Sequence, residues 1–495
     1  MPKKSLRRSI LLNLHTEISP KAEVTCIAFM NNSASFSQEE LLSILGDNTQ
    51  NPPSNCIGIS TDSRNIVAGN LYIPLKGEHF DGHAFISDAL SKGAIGVLIQ
   101  EDACSEIQGI DQIPHIIVSN TLHALGQLAH AHRRKFDIPI IAIAGAAGKT
   151  STKDCAAHIV GTSKRTLKTT ANYNNQVGVP LMMLQLDETH EAAVIEIGTN
   201  EPGEIAILSA MLAPTHGLIT NIGKEHLEKL IDLDGVEKEE TALFTWLEQC
   251  GGTRLINLND ERLMTYAKGP RIVTYALDMD ADIHAKWELD EQGLAIITLE
   301  SQKSIETIQL NLPGKVGAMT AIAGACIGLT IGLKISRIAD SLRSYEAPVY
   351  TGYGRMSKIM LGDIIVLNDS YNANPASMMT ALETLSSMPT KGKRIAILGD
   401  MRELGDSSGE EHRNLLSKVV DYCDDCIVTG PEFFKATQNS IYDCITYAES
   451  AEECAQLIHA KAMSGDIVLI KGSRGIQLEK VLEHWQHYRI TKEHS

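Results

Sequence analysis

Residues 141–154, IAIAGAAGKTSTKD, narrow the folds open to this chain more than any other stretch. An apolar run breaks on glycines and re-enters a helix-like segment through Lys-Thr-Ser-Thr. A strand that turns through glycines into a helix is a phosphate cradle, because backbone N–H groups close around the anion and the helix aims its positive end at it. Gly145 and Gly148 would supply the turn, Lys149 would neutralise the outer phosphates, and the Thr150 hydroxyl, followed by Ser151, would sit on a Mg²⁺. Position 143, where the longer form of the pattern has its first glycine, is Ile143. The plainer reading is a glycine-rich turn with an incidental lysine.

Such a turn belongs to a parallel sheet, and the neighbouring runs agree. IPIIAIAG, AAVIEIG and HGLITNIG are near-continuous apolar stretches of the kind covered on both faces, with helical segments between them. The pattern predicts an α/β fold with a doubly wound, mostly parallel central sheet. A chain of 495 residues exceeds one core, and about two to four domains are expected. Changes of texture divide it into an N-terminal extension (1–35), a small α/β domain (36–136), a central phosphate-loop domain (137–344) and a C-terminal α/β domain (345–495). An antiparallel patch, DIHAKWELDEQGLAIITLE and IETIQLNL, falls within the central unit.

A formal net charge of -17 argues against a general nucleic-acid binder, which would carry a basic face, but leaves nucleotides open. Ten cysteines without a framework suit a reducing compartment. Cys423 and Cys426 form a lone CxxC with no second half of a metal site. No apolar run reaches the roughly 18 residues of a membrane span, and ILLNL near the start is too short for a secretion signal. A cytoplasmic protein is expected.

Three further stretches fit a nucleotide site. TTANYNNQVGVP is crowded with amides. Glu196 stands in a strand otherwise fit for burial, where a carboxylate is costly unless paired or metal-bound. His226 and Glu228 lie just past the end of another strand, where ligands of open α/β sheets collect.

These pieces, with STDSRNIVAGNLYIPLKGEHFDGHAF, GRM, NDSYNANPASM, ILGDMRELGDSSGEEH and LIKGSRG, resemble the Mur ligases of peptidoglycan synthesis from about residue 58 onward. DSYNANPASM and GDMRELG are similar to the members that join D-alanyl-D-alanine to a UDP-N-acetylmuramoyl-tripeptide. The resemblance implies a UDP-sugar domain, a central ATPase and a C-terminal Rossmann-like domain that closes over the site. It implies ATP-dependent amide bond formation through an acyl phosphate, by a monomer. Lys149 would touch the β- and γ-phosphates, with Asn174 and Asn175 beside the γ-phosphate. Thr150 and Glu196 would hold one Mg²⁺ and His226 a second. Arg355 and Asp369 would meet nucleotide phosphate and ribose. Thr61, Asp62, Ser63, Arg64, Lys76, Gly77, Asp81 and His83 would form the UDP-sugar region. Asn372, Asn374 and Pro375, with Ser473 and Arg474, would form the dipeptide side.

The chain departs from the family at three places. Glu240, in GVEKEETALF, stands where the family carries a carbamylated lysine. It would serve the second Mg²⁺ as a carboxylate, directly or through water, or else belong to a solvated acidic face. Val316, Gly317 and Thr320 replace the adenine-side pattern, and Ala147 replaces a loop asparagine. The alternatives are another amide ligase of the superfamily, adding the third peptide residue or glutamates to folate, and a nucleotide binder without ligase activity.

Overall fold

The computed structural model describes residues 32–301, 304–348, 352–438 and 442–493. The extension expected over residues 1–35 lies outside the described residues as far as residue 31. A short antiparallel ribbon, β1 (Ser35–Phe36) with β2 (Cys56–Ile57), leads into a four-stranded parallel sheet. Its strands β3 (Ile59–Ser60), β4 (Leu71–Tyr72), β5 (Gly96–Gln100) and β6 (His115–Val118) pair in sequence order.

Helix α1 (Thr121–Arg133) then crosses to a nine-stranded sheet. Its order is β15-β14-β13-β12-β11-β10-β7-β9-β8. The strands are β7 (Ile140–Ala144), β8 (Thr166–Lys168), β9 (Ala192–Glu196), β10 (His216–Ile219), β11 (Thr253–Asn257), β12 (Ile272–Leu277), β13 (Ile283–Leu289), β14 (Leu294–Ser301) and β15 (Ser304–Pro313). Pairing is parallel from β8 to β13 and antiparallel through β14 and β15, so the expected antiparallel patch is the edge of the central sheet. β7 and β9 are buried at every position, which is why they read as unbroken apolar runs. Helices α2 (Lys149–Gly161) and α5 (Gly314–Thr330) pack on one face, so closely that a Cβ on Gly324 would come within 3.0 Å of Cys155 Sγ and Ile159 Cδ1. The other face carries α3 (Glu204–Leu212), against which α4 (Leu233–Glu240) packs. Val316, Gly317 and Thr320 all lie in the first two turns of α5.

The C-terminal sheet has the order β16-β17-β21-β18-β19-β20. Its strands are β16 (Ser357–Leu361), β17 (Ile364–Asp369), β18 (Arg394–Gly399), β19 (Asp425–Thr429), β20 (Ile445–Ala448) and β21 (Ile467–Lys471), all parallel except for the β16–β17 pair. Helix α6 (Pro375–Ser387) follows β17.

One apolar core runs without a break from Phe36 and Leu41 through Leu125 and Leu128 of α1 to Ile140, Ile195 and Leu208 of the central unit. The C-terminal sheet has cores of its own on its two faces. No helix of the described residues is long and apolar enough to cross a membrane.

Candidate nucleotide and ligation site

The cradle forms at the carboxyl ends of three adjacent strands, β10, β7 and β9. Gly145 (φ +113°) and Gly148 (φ +80°) both take left-handed backbone. At Gly145 a Cβ would meet Thr220 Oγ1 at 2.3 Å, so both conformation and space demand glycine. Gly148 caps α2, which begins at Lys149, and Ser151 lies in its first turn. Ala147 costs the loop nothing: its N–H donates to Asn221 Oδ1 (3.1 Å), and its carbonyl accepts from Asn221 Nδ2 (2.8 Å). Asn221, just past the end of β10, thus clamps the loop.

Thr150 Oγ1 donates to Glu196 Oε2 (2.6 Å), and Asn174 Nδ2 donates to Glu196 Oε1 (2.9 Å). The buried acid that looked costly in the sequence is fully hydrogen-bonded. Asn175 turns the other way, with Oδ1 capping the next helix through the N–H groups of Val177 (3.1 Å) and Gly178 (2.9 Å).

Lys149 Nζ donates to the Gly145 carbonyl and lies 3.3 Å from Glu225 Oε2. Glu240 is completely buried, and its Oε2 accepts the Gly145 N–H at 2.7 Å. EKEE is therefore not a solvated acidic face at either of its last two positions. Glu239, also buried, accepts the N–H groups of Gly203 (2.6 Å) and Ile205 (2.8 Å) at the start of α3. Burial first, and then the Glu225 carboxylate, push the Glu240 carboxyl well above the usual range, while Lys149 pulls it down. Glu225 Oε1 and Glu240 Oε1 are both buried without a hydrogen-bond partner.

His226 (φ +47°) stands apart, with Nδ1 2.9 Å from Glu403 Oε2 in the C-terminal domain. The hydrogen bond from His226 holds Glu403 below the usual carboxylate range. The four expected metal ligands thus divide: Thr150 and Glu196 meet, while Glu240 turns to the loop and His226 to Glu403. Among the described residues no three His, Cys, Asp or Glu side chains gather to hold a metal ion. Thr150 and Glu196 offer hard oxygen donors at the loop, which suits Mg²⁺ with waters and phosphate completing its shell.

The C-terminal candidates form a second cluster, at the ends of β17 and β21. Asp369 accepts the Met356 N–H (3.0 Å) and pairs with Lys471 Nζ (2.6 Å), which also donates to the Asn372 carbonyl (2.9 Å). Ser473 Oγ accepts the Arg402 N–H (2.9 Å) and donates to the Ala373 carbonyl (3.2 Å). Arg474 pairs with Glu479 at 2.6 Å, and Arg355 lies over the Tyr371 ring. Asn374 caps α6, with Pro375 in its first turn, and its Nδ2 donates across the domains to the Ala146 carbonyl at 3.3 Å. Lys224 and Glu411 (2.6 Å) make a further cross-domain pair.

The N-terminal candidates form a third group on the loops after β3 and β4. Thr61 precedes Asp62, which caps a short turn through the Arg64 N–H (2.9 Å) and pairs with Arg64 Nη2 (2.7 Å). That hydrogen bond holds Asp62 below the usual carboxylate range. Buried Ser63 offers its carbonyl to Lys92 Nζ (3.1 Å). Lys76 bridges toward Asp81 (4.0 Å) and Asp102 (3.0 Å), and the Gly77 N–H donates to the Phe80 carbonyl (2.8 Å). His83 Nε2 accepts the Gln100 N–H (3.1 Å), so Nδ1 carries the proton that it donates to Asp81 (2.6 Å).

Sequence reasoning missed Asn221, Glu225, Glu403 and Lys471. Asn221 and Glu225 flank quoted motif positions at a strand's carboxyl end, which was the available signal. Glu403 and Lys471 act only on partners far away in sequence.

A phosphate-cradling loop on a doubly wound sheet, flanked by two further α/β units, defines a three-domain α/β protein built to handle phosphates. The chain belongs to the Mur ligase family. The model of the Mur ligase middle domain matches residues 143–328, that of the glutamate ligase domain residues 354–474, and that of the family's catalytic domain residues 56–133. The UDP-N-acetylmuramoyl-tripeptide–D-alanyl-D-alanine ligase of Bacillus subtilis (strain 168) is 31% identical over 433 residues, covering 86% of this chain and 92% of its own. The enzyme of the same name from Escherichia coli (strain K12) is 33% identical over 469 residues, covering 91% and 98%. The crystal structure of MurF from Acinetobacter baumannii superposes with a TM-score of 0.81 at 27% identity, over 92% of this chain and 99% of that one.

Proposed function

We infer that this chain joins D-alanyl-D-alanine to the terminal carboxylate of a UDP-N-acetylmuramoyl-tripeptide, using ATP. The observation that carries the reading is the hydrogen bond from Asn374, in the motif assigned to the dipeptide side, to Ala146 of the phosphate loop. It joins the segment expected to present the amine to the segment expected to present the phosphoryl group. Near-complete coverage of relatives with that activity supports it.

A carboxylate cannot expel oxide, so it is first converted to an acyl phosphate by the terminal phosphoryl group of ATP. The dipeptide amine then attacks the acyl carbon, phosphate leaves from the tetrahedral intermediate, and the amine's proton passes to solvent or a base. The products are one amide, ADP and phosphate. Lys149 and the N–H groups opening α2 stabilise the charge on the phosphoryl oxygens. Lys149 rests against Gly145 and Glu225, both of which it would exchange for phosphate. Arg355 and Asp369 take nucleotide phosphate and ribose, and Asn174 stands at the γ-phosphate, with Asn175 behind it as a helix cap. Asn372, Ser473 and Arg474 take the dipeptide, whose carboxylate suits a guanidinium. Thr61, Asp62, Ser63, Arg64, Lys76, Asp81 and His83 take the UDP-sugar. Mg²⁺ would be held by Thr150 and Glu196, adding charge neutralisation at the transferring group, and His226 would meet a second ion without Glu240, which is turned to the loop. The domain boundaries fall near residues 136 and 344, and the protein works in the cytoplasm, where its nucleotide substrates are.

Mass spectrometry of the product from UDP-tripeptide, ATP and D-alanyl-D-alanine tests the reading. A species heavier than UDP-tripeptide by one dipeptide less water is expected. ADP released without such a species, or no turnover at all, overturns it.

A further inference from the structure

Two tyrosines that no role above claims link the nucleotide side of the C-terminal cluster to its dipeptide side. The Arg474 guanidinium carbon lies 4.3 Å from the centroid of the Tyr353 ring. Tyr353 and Tyr371 stand with centroids 5.1 Å apart and planes at 46°. The Arg355 guanidinium carbon then lies 3.7 Å over Tyr371. Cation, ring, ring and cation follow one another in a single stack, drawn from three separate segments of chain. The frame beneath is tied: the Tyr371 N–H donates to Gly354 (3.3 Å), the Met356 N–H to Asp369 (3.0 Å), and Lys471 to both Asp369 and Asn372.

The stack covers one face of each guanidinium and leaves in-plane edge donors for ligands. Faces are where a guanidinium is weakly hydrated, and edges carry the in-plane donors that a phosphate or carboxylate needs. On the edge of Arg355, Nε is buried with no hydrogen-bond partner among the described residues. Arg474 is steadied on one side by Glu479 at 2.6 Å.

We propose that Tyr353 and Tyr371 are positioning residues that couple the nucleotide and the acceptor dipeptide, by holding Arg355 and Arg474 in one stack. The proposal rests on the roles given to those arginines above. When a phosphate fixes Arg355, the stack restricts Arg474 to the orientation in which its edge meets a carboxylate, and the reverse holds equally.

The test is a double-mutant cycle on steady-state constants, with thermal melting to establish that each variant is folded. Tyr353→Leu is expected to raise KM for both ATP and D-alanyl-D-alanine about three- to tenfold, the range of one cation–π contact at a partly exposed site. Tyr353→Phe, which keeps the ring, is expected to restore both. Arg474→Lys is expected to raise KM for ATP in the parent, but to add nothing once Tyr353→Leu is present. A rise confined to the dipeptide in Tyr353→Leu, or additive effects on ATP, overturns the coupling. Should Tyr353→Leu fail to fold, Tyr353→Met carries the same expectations. If the parent forms no joined peptide, the reading of the reaction falls. The stack is then tested by calorimetric ADP affinity, which Arg474→Lys should weaken and which, if unchanged, overturns it.

Discussion

At the scale of single residues, the phosphate loop is held from behind by groups of opposite character. Lys149 lies beside Glu225, and Glu240 takes the Gly145 N–H. Replacing Lys149 with alanine should lower kcat by about 10²–10³, the range for removing one donor from a site where transition-state charge develops. A phosphate-release assay on folded variant protein checks this. Glu240→Gln keeps an acceptor for Gly145 and should change stability little, whereas Glu240→Leu strands that N–H and should cost about 1–3 kcal/mol by urea unfolding. Lys149 and Thr150 were legible because a strand, a glycine turn and a helix fix their relation within one local motif, whereas Asn174 and Glu196 showed as an amide in a crowded polar loop and an acid in an otherwise apolar strand. Asn221 and Glu225 were not, since their contacts join segments more than 70 residues apart. The inward turn of Glu239 and Glu240 was hidden for another reason. Charge composition suggests water, but the free N–H groups of α3 and of the loop are what they meet.

At the scale of elements, the end of α1 does the joining. Arg133 donates from Nε to Leu212 (3.1 Å) and from Nη2 to Ala213 (3.1 Å), satisfying carbonyls at the end of α3 with a cation where the helix dipole favours one. Burial lowers its pKa to about 10, so it stays charged at neutral pH. Arg133→Ala should cost about 2–3 kcal/mol in urea unfolding, from carbonyls left unpaired and charged hydrogen bonds lost. His130 and His132, on the same turn, are both held below the ordinary histidine value by burial. Their folded forms resist a proton that the unfolded chain accepts below about pH 6.5. Stability is therefore full above that pH and falls as pH drops toward the folded values. Urea midpoints for the parent and for His132→Gln at pH 7.5 and 5.5 should diverge in that direction, with the parent losing more on acidification. The periodicity of α1 was readable. Its partner was not, because HAHRRKF reads equally well as a solvated helix end.

At the scale of the molecule, the first two units share one core and the third has its own. Polar contacts join the third to the rest at the site, among them Asn374 to Ala146, Lys224 to Glu411 and His226 to Glu403. Surface pairs of this kind contribute little, on the order of 0–1 kcal/mol each. Scanning calorimetry should resolve two transitions, and Leu385→Ala in the C-terminal core should lower only one of them, by the equivalent of about 2–5 kcal/mol. The α/β character of each unit followed from apolar runs and turns, and the strand orders did not. The merging of two cores did not, because it depends on which faces of α1 find partners.

That shared core has a consequence for what the protein can accept. The loops proposed to grip the sugar nucleotide and the loop proposed to grip ATP are welded to one rigid frame, so the gap between them is set at folding. A peptide spanning it is measured as by a ruler. Shorter stems stop short of the phosphoryl group however well their ends are gripped, and no movement of the third unit would make up the distance.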